Sequence, residues 1–428
     1  MRHTLRIEHK KEKGVLLLNT VMLYILQFST YLLNFIVVPY ESRVLKPELY
    51  GVLGLATAIM VYFQLVIDFG FILSATEEVS RNRNDTNKLR SLLTSVTVGK
   101  LVLSVFSAVC LFILCRIIPQ WREHTGFFML FLAATALNSL MPDFIYRGLE
   151  KMTAITVRAV AIKAFFAGMI FVFLREPDDL LLIPILNIIG NALALVFIYL
   201  HLSRKLHITF GRFDLTEFKS SFKKSLYFFF SRIASSIYTA GNTIILSILT
   251  NNGGAVGLYT AAEKVTTTAK SAMTPISDSL YPYMIKNRDF KLIRKILAIF
   301  MPIILLGCGV VFVYAEPLCL WFFGAEYAGT GQILRALLPV VVVILPSYIL
   351  GFPTLSAMGL SRHANYSVIV GSALHIAGLV TLYFTGLIST ITLAGMVSVT
   401  ETVILLYRLI VVLTHRRLLR QPPETEGV

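Results

Sequence analysis

Ten ionisable side chains fall inside stretches that are otherwise apolar: Asp68, Lys100, Lys163, Arg232, Glu263, Lys264, Lys270, Asp278, Glu401 and Arg408. A charged group deep in hydrocarbon costs about 3 kcal/mol or more unless it faces water or a partner, so each points to an internal cavity or an ion pair. Cations outnumber acids among them, which favours a cavity for an anionic ligand. Lys100, Lys163 and Arg232 lie too deep in their apolar runs to reach the headgroups easily, and with Lys270 they either line such a cavity or pair with an acid. Glu263 and Lys270 are seven residues apart, two helical turns on one face, beside Thr266, Thr267, Thr268 and Ser271. That face is expected to be wet. Arg43, just outside the first apolar run, either closes the cavity from the outer side or anchors the interface. Arg408 sits close enough to the end of its run to snorkel.

The elements that carry these charges are long helices. Hydrophobic residues make up 56% of the 428-residue chain and charged ones 15%, far from the soluble norm of roughly a quarter charged. Apolar runs of bilayer length are expected near 15–39, 50–75, 90–118, 126–149, 153–174, 180–202, 222–249, 256–285, 292–314, 333–357, 364–385 and 388–414. The chain is therefore read as an all-α polytopic membrane protein of about twelve spans, six in each half. The formal charge of +15 sits mostly at the ends of apolar runs. It has a topological meaning, with both termini cytoplasmic, and does not indicate nucleic acid.

Two markers suggest an internal duplication. Gly51 to Asn82 is matched by Gly257 to Asn287, and Gly148 of the first half corresponds to Gly359 of the second. Lobes at 1–210 and 211–428 follow, with Asp68 and Asp278 at corresponding positions, where either could simply hydrogen-bond between helices. Residues 203–221 join the halves, and their Arg204, Lys205, Arg212 and Lys219 suit either an amphipathic segment on an anionic leaflet or a solvated linker.

Several function classes lack their motifs. There is no GxxxxGK[ST], HExxH or GxSxG, and no loop is long enough for a folded extramembrane domain. Cys110, Cys115, Cys308 and Cys319 have no metal-ligand spacing and read as small core residues. The Asp178-Asp179 pair reads as a solvated turn, and no cleavable leader is evident.

A series of blocks carries a family resemblance: VPYESRVLKPELYG from Val38, IDFGFILSATEEVSRNRND from Ile67, YRGLEKM from Tyr146, VGLYTAAEK from Val256, SLYPYM from Ser279, WFFGAEY from Trp321 and ILRALLP from Ile333. In order and spacing they resemble the polysaccharide-export (Wzx-type) flippases of the multidrug/oligosaccharidyl-lipid/polysaccharide (MOP) exporter superfamily. The resemblance implies a V-shaped, two-lobed, MATE-like transporter of the bacterial inner membrane. Such a protein turns an undecaprenyl-diphosphate-linked oligosaccharide from the cytoplasmic to the outer leaflet, by alternating access, for O-antigen or capsule. It implies no enzyme activity and no cofactor, an H+ or Na+ gradient as energy source, and membrane lipids, a polysaccharide polymerase and a chain-length regulator as partners. Asp68, Glu263, Asp278 and Glu401 are then the titratable or ion-binding candidates. Two departures stand out: Lys46 replaces a glycine that often follows Arg-Val-Leu, and Arg147 replaces a glutamine usual before Gly-Leu-Glu. The competing readings are a cation-coupled drug exporter, the peptidoglycan-precursor flippase, and a membrane polysaccharide polymerase. Drug exporters favour buried acids, the precursor flippase usually has two more spans, and polymerases use a large outer loop that this chain lacks.

Overall fold

The computed structural model describes the backbone of residues 2–250 and 252–420. It describes their side chains except at 2–20, 23, 216, 217, 220, 227, 228, 230–232, 234–239, 419 and 420. Every regular element among them is helical: α1 Arg2–Asp68, α2 Phe71–Arg81, α3 Thr86–Ile117, α4 Pro119–Arg122, α5 Thr125–Ser139, α6 Asp143–Gly148, α7 Met152–Phe173, α8 Leu182–Leu206, α9 Leu215–Thr250, α10 Gly253–Asn287, α11 Phe290–Val313, α12 Ala315–Phe323, α13 Thr330–Ile349, α14 Leu355–Ala357, α15 Ser361–Phe384 and α16 Thr390–Thr414, with short 3-10 and π turns between some of them.

Nine helical stretches among the described residues are long and apolar enough to cross a membrane. The chain is a multi-pass membrane protein. The stretch Tyr24–Arg81 is 58 residues long, more than twice a bilayer width, and α1 within it breaks at Lys46. The twelve expected spans are not all matched by this criterion. Helix α9 is described only in part, and α10 carries Glu263, Lys264, Lys270 and Asp278 along its 35 residues. Helix α11 is the opposite case: its apolar window has no buried residue, as for a helix whose sides face lipid.

Helix ends follow local chemistry. Asp85 accepts from Lys88 N at 3.0 Å, Asn252 from Ala255 N at 3.0 Å, and Asp289 from the amides of Lys291 and Leu292. Each satisfies a first-turn N–H with no intrahelical partner. The Asp178-Asp179 turn is held from the other direction, by a side chain that reaches back to the preceding amides. Asp179 accepts from the amides of Arg175 and Glu176 and starts the turn before α8. The break in α1 comes from Pro47, whose ring excludes the helical ψ at the preceding residue. Lys46 is left at φ 58°, ψ 168°, a region that glycine alone enters freely. The expected span 126–149 is matched by the stretch Thr125–Gly148, within which Pro142 separates α5 from α6.

The chain divides into two compact units. The first comprises Met1–Leu45 and Ala56–Ile233, the second Lys46–Leu55 and Ala234–Val428. In the first unit, Phe69 and Gly70 both take positive φ and separate α1 from α2. The turn is held by Phe69 stacked between Phe222 at 4.2 Å and Phe229 at 4.6 Å on α9, with Ser74 and Ser225 sharing a 2.6 Å hydrogen bond beneath. The segment between α8 and α9 is not helical. It is pinned to α3 where Gly211 N donates to Thr94 Oγ1 at 2.8 Å and Arg90 donates to the His207 carbonyl at 2.9 Å.

In the second unit, the start of α1's outer half crosses α10 at small residues. A Cβ on Gly257 would overlap the Pro47 carbonyl, and one on Gly51 would overlap the Gly253 carbonyl. Pro47 precedes Gly51 by four residues as Gly253 precedes Gly257, so the two close approaches lie one turn apart along the same crossing.

Candidate functional site

In the first unit, Lys100 and Arg158 are each paired with an acid, and Lys163 meets a hydroxyl. Lys100, 3% exposed, lies 3.2 Å from Asp68 and also donates to the Ser139 carbonyl. This pairing joins α1, α3 and the end of α5. Arg158 makes a two-pronged ion pair with Asp143 next to Pro142. Lys163, half-buried on α7, donates to Thr30 Oγ1 at 2.6 Å.

The second unit holds a cavity of about 310 Å³, lined by side chains of α10, α13, α15 and α16. Its centre is an ion pair between Lys270 of α10 and Glu401 of α16 at 2.6 Å. Lys270 lies 17 residues past Gly253 (270 − 253) in α10, or about 26 Å along the helix at 1.5 Å per residue. Thr267, Ser271, Ser347 and Tyr348 supply neutral polar lining, and Arg408 a second cation. Two cations therefore stand against one carboxylate, a balance that suits an anionic ligand.

Arg408 does not snorkel, contrary to the expectation from its sequence position. It is 7% exposed, and its guanidinium donates to Ser367 Oγ at 2.9 Å and to the Ser347 carbonyl at 2.7 Å. The room for it comes from a break in the backbone. Residues 350–354 form a single π turn with Gly351 at ψ −122°, and a Cβ on Gly351 would meet the guanidinium. Pro353 has no N–H for the Ile349 carbonyl, and the Thr354 hydroxyl donates to it instead, at 2.7 Å. The sequence signal was present in the run Leu350–Thr354, where glycine and proline stand two apart inside an apolar stretch.

A second polar cluster of this unit escaped the sequence reading. His375 of α15 is 0% exposed, with Nδ1 at 2.8 Å from Thr400 Oγ1 and Nε2 at 2.9 Å from Asn242 Oδ1. Asn242 Nδ2 donates to the Tyr259 hydroxyl at 3.3 Å, and Thr243 donates to Glu263 at 3.2 Å. A single histidine in an apolar run carries little sequence signal; Thr400 and Asn242 reach it from α16 and α9.

The remaining sequence candidates lie apart from the cavity lining. Arg43 is exposed near the break in α1, and Asp278 is exposed on α10. Asp68 and Asp278 have different surroundings, since only Asp68 is packed against a lysine. The Arg232 side chain lies outside the described residues. Among the described residues no cluster of three or more His, Cys, Asp or Glu side chains could hold a metal ion.

Residues 16–288 match the model of a family described as "Polysaccharide biosynthesis protein". Two relatives are named as O-antigen transporters. The one from Escherichia coli (strain K12) is 25% identical over 62% of this chain and 63% of its own length, so the match leaves more than a third of that relative uncovered. The one from Shigella dysenteriae is 26% identical over 84% of this chain and 90% of its own. Among solved structures, the lipid II flippase MurJ in an inward closed conformation superposes with a TM-score of 0.67, at 14% identity, over 92% of this chain and 87% of that one. An inward-facing multidrug resistance MATE transporter of the MOP superfamily gives 0.62, at 15% identity, over 96% and 100%. The structural likenesses establish an all-helical fold shared with these transporters. The family match covers well over half of the sequence, and the chain belongs to the polysaccharide biosynthesis protein family.

Proposed function

We propose that the protein is a flippase for a polysaccharide precursor, carrying an undecaprenyl-diphosphate-linked oligosaccharide from the cytoplasmic to the outer leaflet of the bacterial inner membrane by alternating access. The observation that carries this reading is the cavity of the second unit, where Lys270 and Arg408 stand against the single carboxylate of Glu401. A diphosphate headgroup needs fixed cations in a water-accessible space, while its prenyl tail can stay in lipid. Family membership and two relatives named as O-antigen transporters support the same substrate class.

In this reading the lobes are residues 1–210 and 211–428, both termini are cytoplasmic, and the product passes to a polymerase and a chain-length regulator. The protein acts as a transporter and not as an enzyme. Lys270 and Arg408 receive the diphosphate. Lys100 and Lys163, held by Asp68 and Thr30, serve the substrate path only if their partners release them; Arg232 remains a proposed contact, and Arg43 a proposed outer closure. Coupling to an H+ or Na+ gradient falls to Glu263 or Glu401 ahead of Asp68 or Asp278.

The test is surface glycan display in a strain lacking the gene, complemented by this chain, with lipid-linked repeat units assayed in each leaflet. Restored display, with repeat units trapped in the inner leaflet when the gene is absent, is expected. Repeat units that reach the outer leaflet without the protein and fail only to polymerise would refute the flippase reading.

A further inference from the structure

We infer that residues 207–215, between α8 and α9 in the first unit, form an interfacial anchor that binds anionic phospholipid at the membrane surface. Phe210, Phe213 and Leu215 lie against the acyl chains, and Arg204, Lys205 and Arg212 hold the lipid phosphates. This surface is separate from the cavity of the second unit and from the cargo proposed above.

The depth of the segment is fixed by what it packs on. Helix α3 carries Lys88 and Arg90 near its start, the charges that mark the aqueous end of the span. Gly211 lies flat on the next turn: its amide donates to Thr94 Oγ1 at 2.8 Å, and a Cβ on it would stand 3.0 Å from Arg90. Phe210 stacks on Tyr199 of α8 at 5.3 Å, with the ring planes 23° apart. Tyr199 precedes Leu206, the last residue of α8, by seven positions (206 − 199), which is about 10 Å along the helix. The chain therefore leaves α8 and turns back along it, so that its rings stand at the edge of the hydrocarbon and not out in water. Phe213 continues inward to Phe218 of α9 at 5.8 Å, and Phe218 packs on Gly99 of α3.

The outward face has the chemistry of a lipid contact. Phe210, Phe213 and Leu215 are 55%, 46% and 54% exposed, and Val196, one turn before Tyr199 on the same side of α8, is 60% exposed. Arg204, Lys205 and Arg212 are exposed as well. From Arg204 to Lys219 the sequence has four Lys or Arg against two acids, Asp214 and Glu217, so the stretch stays cationic however those acids pair. Aromatic rings at headgroup level beside fixed cations suit an anionic leaflet. A soluble anion would leave the rings without a role, and a protein partner would have to displace lipid from them.

The test uses the full chain in nanodiscs made from equal parts of phosphatidylcholine and phosphatidylglycerol. Phe213→Trp adds a reporter to the 2 native tryptophans, whose signal in the unaltered chain is subtracted. Bromine on the acyl chains of one lipid at a time then reports which lipid touches the indole. Quenching by both is expected, and more by brominated phosphatidylglycerol, whose local enrichment should reach roughly fivefold for each cation engaged. Arg204→Gln, Lys205→Gln and Arg212→Gln together should level the two lipids while the indole stays quenched. Equal quenching by the two lipids in the chain with its cations intact overturns the proposal. So does an indole reached by aqueous acrylamide and not by bromine, as in a solvated linker, or one hidden from both, as under a second copy of the chain. Soluble diphosphate that erases the phosphatidylglycerol preference at matched ionic strength also overturns it, because the cations then hold a free anion. If Phe213→Trp does not fold, Leu215→Trp reads the same face. No transport step enters the readout, so its outcome is independent of the flippase reading.

Discussion

Replacing Lys270 by glutamine removes an ammonium 2.6 Å from a Glu401 carboxylate whose side chain is 4% exposed. Breaking a buried pair from one side leaves an uncompensated charge and typically costs 3–5 kcal/mol; with water able to enter beside it, about 2–4 kcal/mol is expected here. Adding Glu401→Gln removes the stranded charge. The double variant should recover to within about 1 kcal/mol of wild type, because neutral replacement of a whole pair is nearly free. Thermal unfolding of the four proteins in detergent measures this cycle. Export separates the two roles of Lys270. If the ammonium holds a diphosphate, the double variant is stable yet lacks a charge-assisted contact of about 1.5–3 kcal/mol, so flipping falls roughly 10- to 150-fold. The readout is outer-leaflet lipid-linked oligosaccharide in the complemented deletion strain, normalised to membrane-inserted protein. A double variant that is stable and exports at the wild-type rate would show that the pair only braces α10 against α16, and the anion-site argument would fall.

The strain at Lys46 gives a gain instead of a loss: Lys46→Gly should raise stability by about 1–3 kcal/mol, since a side chain at φ 58°, ψ 168° is strained. The exposed ion pair to Glu326 that is lost contributes about 0–1 kcal/mol, and an unchanged or lower melting temperature would contradict the backbone assignment. Gly257→Val should reduce folded yield and export together, at about 1–3 kcal/mol or more, because its side chain meets the Pro47 backbone; wild-type complementation would remove the close crossing from the account. Arg408→Lys keeps the charge but cannot reproduce donation from Nε and Nη1 to Ser367 and Ser347. A loss of about 1.5–3 kcal/mol in detergent melting is expected, and a smaller effect than that of a surface lysine swap would restore the snorkelling picture.

How much of the site was legible depended on the kind of signal. Lys270 and Glu401 stood out because a charge in an apolar run is conspicuous, yet their pairing across 131 residues was not readable from spacing. Lys100 and Asp68 were equally conspicuous and prove to be each other's partners, an outcome that composition cannot distinguish from a cavity lining. Arg408 looked superficial because depth was judged along one helix. The break at Gly351 and Pro353 on a different helix is what lets it turn inward.

Helices, their ends and the membrane setting follow from local physics, and the sequence alone determines them. Apolar runs of bilayer length, caps at Asp85, Asn252 and Asp289, and prolines that interrupt the ladder act within a few residues of where they are read. What the tertiary structure alone decided is which charges neutralise one another and which share a cavity. Those choices depend on the rotation and depth at which one helix meets another, and each helix has many nearly equivalent ways to bury an apolar face. Only in the packed unit does His375 meet Thr400 and Asn242, and only there do Lys270, Glu401 and Arg408 come to face the same space.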